Sequence, residues 1–157
     1  LQPHTPVTPP AVYRSRYASE TFTDLVEMGG TTSTFETELA DLMQGAALDE
    51  VERLRAQYEY YGLVAWLDDQ VGRVLATLHS IGLEKSTIVV FNADHGASLG
   101  ERGLFSKLCY APQVHRVPLL LSWKGTLAAG IRRHDISELI DLARTLAALA
   151  GGERTLP

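Results

Sequence analysis

Cysteine occurs once in this 157-residue sequence, as Cys109. A single thiol excludes an internal disulfide framework and fits a reducing, cytoplasmic compartment. Basic residues are outnumbered, 14 Lys and Arg against 19 Asp and Glu, for a formal net charge of −5. That balance gives no electrostatic reason to expect nucleic acid or an anionic membrane surface as a partner. No apolar run approaches the roughly 20 residues needed to span a bilayer. No basic stretch leading into an apolar core marks a secretory leader. The chain opens Leu1-Gln2-Pro3 without a methionine and reads as a piece of a longer polypeptide. What is present is globular. Apolar residues at 45% and charged residues at 21% argue against disorder, and the length allows one domain with a sizeable core.

Four prolines (Pro3, Pro6, Pro9, Pro10) keep the first ten residues out of helices and internal strands. This extended segment offers Tyr13, Tyr17 and Phe22 as anchors onto a core. Residues 18–45 read as irregular, with one short helix near Phe35–Met43 and a mobile loop at Gly29-Gly30. A long helix is expected next. It opens at Leu48-Asp49-Glu50, carries Leu54, Tyr58, Tyr61, Val64, Ala65, Leu67, Val71, Leu75 and Leu78 at helical spacing, and stops near Ile81-Gly82. Gly62 and Gly72 inside it point to close approach of another element, or to a bend. A strand follows at 87–91, then a loop from Asn92 to His115. A second, buried strand spans Val117–Trp123, with Pro118 near its start. Residues Ile136–Ala150 form a closing amphipathic helix ended by Gly151-Gly152. The expected class is α/β, part of a mixed, mostly parallel sheet flanked by helices. Residues 1–45 form its extended or irregular opening, and 46–157 a helix–strand–loop–strand–helix core.

The chemistry collects where the first strand ends. Ile88–Phe91 is a short apolar run that stops at Asp94, His95 and Gly96. In open α/β sheets, ligands gather outside the carboxyl ends of strands, so this order aims a carboxylate and an imidazole at such a place. Taken alone, three residues of this kind also describe a polar turn with a glycine.

From Tyr60 to Lys124 the chain resembles the sulfatase branch of the alkaline phosphatase superfamily. The resemblance rests on the helix Tyr61…Leu67-Asp68-Asp69-Gln70-Val71-Gly72-Arg73, the strand Thr87–Phe91 and Asp94-His95-Gly96. It continues through Leu99-Gly100-Glu101-Arg102-Gly103-Leu104, Lys107 and Arg116-Val117-Pro118. Outside this stretch, Pro3-His4-Thr5-Pro6 is similar to a His-x-Pro segment of the same enzymes, and Ile136–Leu142 to the segment after the strand. Choline-sulfatase-like enzymes and phosphonate or phosphate monoester hydrolases fit the pattern equally well.

The resemblance implies roles. Asp94 and His95 match a metal pair for a divalent cation, Ca²⁺ or Mn²⁺, shared with acidic ligands nearer the parent's N-terminus. The nitrogen of His95 favours Mn²⁺ over the oxygen-preferring Ca²⁺. Lys107 matches the lysine that contacts a substrate oxygen, and His4 a histidine placed to protonate the leaving group or bind the anion. His79, His115 and His134 read as surface, rim or structural residues. The implied partners are a small sulfate or phosphonate ester and the N-terminal part of the same catalytic domain. Nucleic acid and membrane are not expected.

Two elements of the family pattern are not in this sequence, the nucleophile motif and the acidic metal ligands near a first strand. No Cys/Ser-x-Pro-x-Arg motif, the source of the formylglycine nucleophile, occurs in it, and Cys109 lacks the spaced proline and arginine. Cys109 reads as a small, partly buried loop residue. The expectation is therefore a fragment of a sulfatase-type hydrolase, inactive alone, with half a metal site. A non-catalytic α/β binding module is the reading from a different class.

Overall fold

The computed structural model describes residues 3, 4, 6–17, 33–42 and 49–151. The Gly29-Gly30 loop and Phe22 lie outside them. Chain order gives α1 (Ala11–Tyr17), α2 (Thr34–Leu42), α3 (Glu50–Ser80), β1 (Val89–Asn92), β2 (Ser98–Leu99), β3 (Phe105–Ser106), α4 (Pro112–His115), β4 (Leu119–Ser122) and α5 (Leu139–Leu149). The chain divides into two compact units, Leu1–Lys124 and Gly125–Pro157.

Helix α3 sets the frame of the first unit, and both its ends follow from the sequence. The Asp49 carboxylate accepts from the Glu52 N–H at 2.8 Å, and Glu52 accepts in return from the Asp49 N–H at 3.3 Å. This reciprocal cap satisfies two amides that have no partner within the helix. At the other end Gly82 is left-handed at φ 74°. The Gly82 N–H donates to the His79 carbonyl at 3.0 Å and the Leu83 N–H to Leu78 at 3.2 Å, which closes the last turn.

Neighbours press on α3 from two directions. Pro9 and the Tyr13 carbonyl come so close to Gly62 that a Cβ there would meet Pro9 Cγ at 3.0 Å. The Tyr13 hydroxyl donates to Asp69 at 2.7 Å, and that bond raises the phenol above its usual pKa. The Tyr17 ring lies 6.0 Å from Tyr61. Tyr13 and Tyr17 thus anchor the proline-led segment as expected, but from a helix that the prolines concealed. Pro10 precedes α1, where proline suits a helix start, and no breaker follows it in Ala11–Tyr17. Elsewhere on α3, Gln57 reaches β2. The buried positions are Gln57, Gly62, Leu63 and Ala65. They do not follow one stripe because more than one face is covered. Val64 and Leu75, expected on the packed face, are 40% and 42% exposed. Among the described residues nothing approaches within 4 Å of a Cβ built at Gly72, so of the two readings, close approach or a bend, the first is not seen there.

The α/β class holds, with small sheets. Strand β1 pairs with β4, Val89 opposite Ser122 through Asn92 opposite Leu119, and β2 pairs with β3. Both pairs among the described residues are antiparallel, whereas the expected sheet was mixed and mostly parallel. A parallel return needs a crossover of about a dozen residues or more, usually a helix. Between β1 and β4 the chain builds a hairpin and a single-turn helix instead of the expected plain loop. All four residues of β4 are exposed. The expectation of a buried strand fails because a two-stranded ribbon has too few neighbours to cover its side chains. The ribbon's base is tied to the α3 exit: Trp123 Nε1–H donates to the Lys85 carbonyl at 2.9 Å, and Lys124 lies 2.6 Å from Glu84.

The buried cluster of this unit is Ala40, Leu104, Cys109, Ala111 and Val114, with Leu39 against it. It joins α2 to Leu104 in the β2–β3 hairpin and to the segment between β3 and β4. Helix α2 is opened by Ser33, whose hydroxyl accepts from the Glu36 N–H at 3.1 Å. In the second unit, α5 starts at a turn where Asp141 accepts from the Glu138 N–H at 3.1 Å. It ends at left-handed Gly151, φ 78°. Ile136, expected to open the helix, lies before its first turn.

Candidate functional site

Strand β1 stops at Asn92, and Asp94 and His95 follow just outside its carboxyl end. Gly96 is fixed by the approach of α4. Its N–H donates to the Val114 carbonyl at 2.8 Å, and a Cβ at this position would overlap the Gln113 carbonyl. Only glycine lets the two backbones meet, which explains the third residue of Asp-His-Gly.

The three side-chain bonds of His95 and Asp94 define the corner. Asp94 Oδ1 accepts from the His95 N–H at 2.9 Å. That bond, aided by the nearby charges of His95 and Lys107, holds the Asp94 carboxyl below its ordinary pKa. His95 Nδ1 lies 2.8 Å from the Gly96 carbonyl. A carbonyl can only accept, so Nδ1 carries the proton and Nε2 presents its lone pair. Lys107 Nζ stands 2.8 Å from that Nε2 and donates to it.

The route that brings Lys107 there is the β2–β3 hairpin. Gly100 and Gly103 turn it at φ 112° and 74°, and the Gly100 N–H donates to the Leu104 carbonyl at 2.9 Å. Glu101 folds back to accept from the Leu99 N–H at 2.6 Å. The family-like Gly-Glu-Arg-Gly stretch is therefore turn chemistry. Immediately before Lys107, Ser106 has φ 71°, the one non-glycine among the described residues with a left-handed backbone. Such a conformation costs on the order of 1–3 kcal/mol and redirects the residue that follows. Nothing in the identity of a serine reveals this.

The donor set suits a divalent cation. Asp94 Oδ2 and His95 Nε2 are 3.6 Å apart. Two ligands of one ion with bonds of about 2.1–2.4 Å stand roughly 3.0–3.5 Å apart, so a small adjustment would let the pair share one. The Gly96 carbonyl holds the imidazole in the tautomer that binds metals through Nε2. No group of three or more His, Cys, Asp or Glu that could hold a metal comes together among the described residues.

His4 sits exposed in the segment before α1. Cys109 is buried, with its sulfur 3.5 Å from the fully buried Ser98 hydroxyl. His115 packs structurally, stacked on Tyr110 and 3.2 Å from the Cys109 carbonyl. His79 pairs with Glu84 at 2.9 Å on the surface. Gln57, Ser98 and Ser106 belong to no motif in the sequence. A glutamine at a helix position flanked by packed residues was the one available signal among them.

A family model for sulfatases matches residues 1–152. The multifunctional alkaline phosphatase superfamily protein PehA of Trinickia caryophylli is 37% identical over 69% of this chain and 21% of its own length. A choline-sulfatase of Rhizobium meliloti is 37% identical over 62% of this chain and 19% of its own. The chain therefore spans about a fifth of the curated relatives it matches. The structure of BT4656 in complex with its substrate D-glucosamine-2-N,6-O-disulfate is similar over 77% of this chain and 25% of that one, at 28% identity and TM-score 0.64. The fold is also that of the yidJ protein from Bacteroides fragilis, over 99% of this chain and 32% of that one, at 23% identity and TM-score 0.73. A match along nearly the whole chain, on a strand end that carries Asp94-His95-Gly96, places this chain in the sulfatase family.

Proposed function

We propose that the polypeptide carrying this chain is a metal-dependent hydrolase of sulfate esters. The observation that carries the reading is the Lys107–His95 contact, 2.8 Å long, beside the Asp94 carboxylate. An ammonium, an imidazole nitrogen and a carboxylate meet at one strand end, in a chain whose relatives include a choline-sulfatase. In this reading Asp94 and His95 supply one oxygen and one nitrogen to a divalent cation, Ca²⁺ or Mn²⁺. When bound, such an ion stabilises negative charge on the oxygens of the ester group.

The chain's own residues do the rest. The Gly96 carbonyl accepts a hydrogen bond from Nδ1–H and keeps the imidazole oriented. Lys107 carries a compact positive charge on a turned hairpin and neutralises a sulfuryl oxygen as charge develops there. His4 is assigned to the leaving-group oxygen, as acid or anion contact. The nucleophile, a formylglycine in this reading, comes from outside residues 1–157, so a polypeptide limited to them is expected to show no turnover.

The test is turnover of 4-nitrophenyl sulfate by the natural polypeptide, before and after chelation, with 4-nitrophenyl phosphate and phenylphosphonate esters alongside. Sulfate-ester turnover lost on chelation and restored by Mn²⁺ or Ca²⁺ supports the reading. Dominant phosphonate or phosphate turnover would replace the substrate class. No turnover of any ester would favour a binding module.

A further inference from the structure

Gln57 lies inside α3, 1% exposed, where an apolar side chain of the same volume would avoid desolvating an amide. Its Nε2–H donates to the Leu99 carbonyl at 2.8 Å. Its Oε1 is buried and makes no hydrogen bond among the described residues. A buried acceptor without a donor destabilises a fold, so this amide is a poor choice for packing alone.

The bond it makes has a definite address. Leu99 pairs with Phe105 across the hairpin ladder. After Phe105 comes Ser106 with its left-handed backbone, and then Lys107 with its ammonium on His95. One turn earlier on α3, the Arg53 side chain lies over Gly100, where a Cβ would meet its Cγ and Cδ at 2.6 Å. On the neighbouring residue of β2, the Ser98 hydroxyl accepts from Gln113 at 3.2 Å. The first strand of the hairpin is thus held by α3 at Leu99 and Gly100 and by α4 at Ser98. A hairpin of two residues per strand has little ladder of its own to set its register.

We propose that Gln57 is a positioning residue for Lys107: its amide fixes Leu99 and so sets where the hairpin delivers the ammonium. The proposal rests on the reading of Lys107 as the contact to the ester group. Its test is a double-mutant cycle of Gln57→Met and Lys107→Ala in the natural polypeptide, read as kcat/KM on 4-nitrophenyl sulfate. Gln57→Met alone is expected to lower kcat/KM about tenfold, since misplacement of a reacting group by a fraction of an ångström is enough. In the Lys107→Ala background it is expected to change it less than about twofold, because coupled residues do not add. Equal losses in both backgrounds would overturn the proposal while leaving the role of Lys107 standing. An unchanged Lys107→Ala enzyme would overturn the role of Lys107 and the proposal together. Should Gln57→Met fail to fold, Gln57→Asn is read in the chelated, metal-free polypeptide, where Lys107 donates to His95 Nε2, by the ¹⁵N resonance of that nitrogen. A shift toward an imidazole nitrogen with no donor supports the proposal, and an unmoved resonance contradicts it.

Discussion

The Lys107 ammonium and the His95 imidazole share one lone pair, with Nζ 2.8 Å from Nε2. Because Nδ1 is committed to the Gly96 carbonyl, Nε2 is the only ring atom left to a cation. Lys107 and a metal therefore compete for the same electrons. Lys107→Met separates the two uses of this corner. Turnover is expected to fall about 10²-fold, as for loss of one charge-stabilising donor. Affinity for Mn²⁺, followed by calorimetry, is expected to hold or rise. Weaker Mn²⁺ binding would mean that Lys107 supports the metal pair.

Gly96 tests the backbone that carries the pair. A methyl group here runs into the Gln113 carbonyl, which cannot swing away as a flexible side chain would. Gly96→Ala is expected to lose about 1–3 kcal/mol of stability, the usual range for overpacking. It should also lose turnover, since α4 must shift. Urea unfolding and kcat on the same preparation check both.

The long helix, the strand before Asp94 and the corner itself were legible because each depends on local rules. Asp49 and Glu52 cap each other, Gly82 closes the exit, and an apolar run ends at Asp-His-Gly. What was hidden depends on tertiary neighbours. Helix α1 begins once the prolines end and is held by Tyr13 and Gly62, a contact that spacing cannot display. The stripe on α3 was misjudged because Gln57 and Gly62 meet different partners. The left-handed Ser106 has no signature in a serine, and the direction of β4 depends on how the intervening chain folds. At the site, Asp94, His95 and Lys107 were named from the motif, whereas the tautomer of His95 needed the position of the Gly96 carbonyl.

Glu84 gives the ribbon base a pH dependence. Its hydrogen bond from Lys124, and then that from His79, lower its pKa from the ordinary 4.5. A carboxyl lowered by folding adds stability above its unfolded pKa and loses it as pH falls through the folded value. Melting temperatures of the natural protein and Glu84→Gln are expected to differ at pH 6 and to draw together as pH falls below the ordinary carboxyl value of 4.5. A gap that does not narrow as pH falls would assign Glu84 a role other than its charge.

Asp49→Ala removes the cap that starts α3. The expected loss is about 1 kcal/mol in urea unfolding, the usual value for an N-cap carboxylate. Asp49→Asn, which still accepts from Glu52, should recover most of it.

The pairing of Asp94 with His95 as cation ligands is tested most directly by metal analysis of the natural polypeptide beside its His95→Ala and Asp94→Asn variants. The expected result is a divalent metal bound by the natural protein, with affinity reduced more than about tenfold in each variant and turnover falling in parallel. A natural protein that hydrolyses sulfate esters without metal, or variants that keep the metal unchanged, would contradict the account.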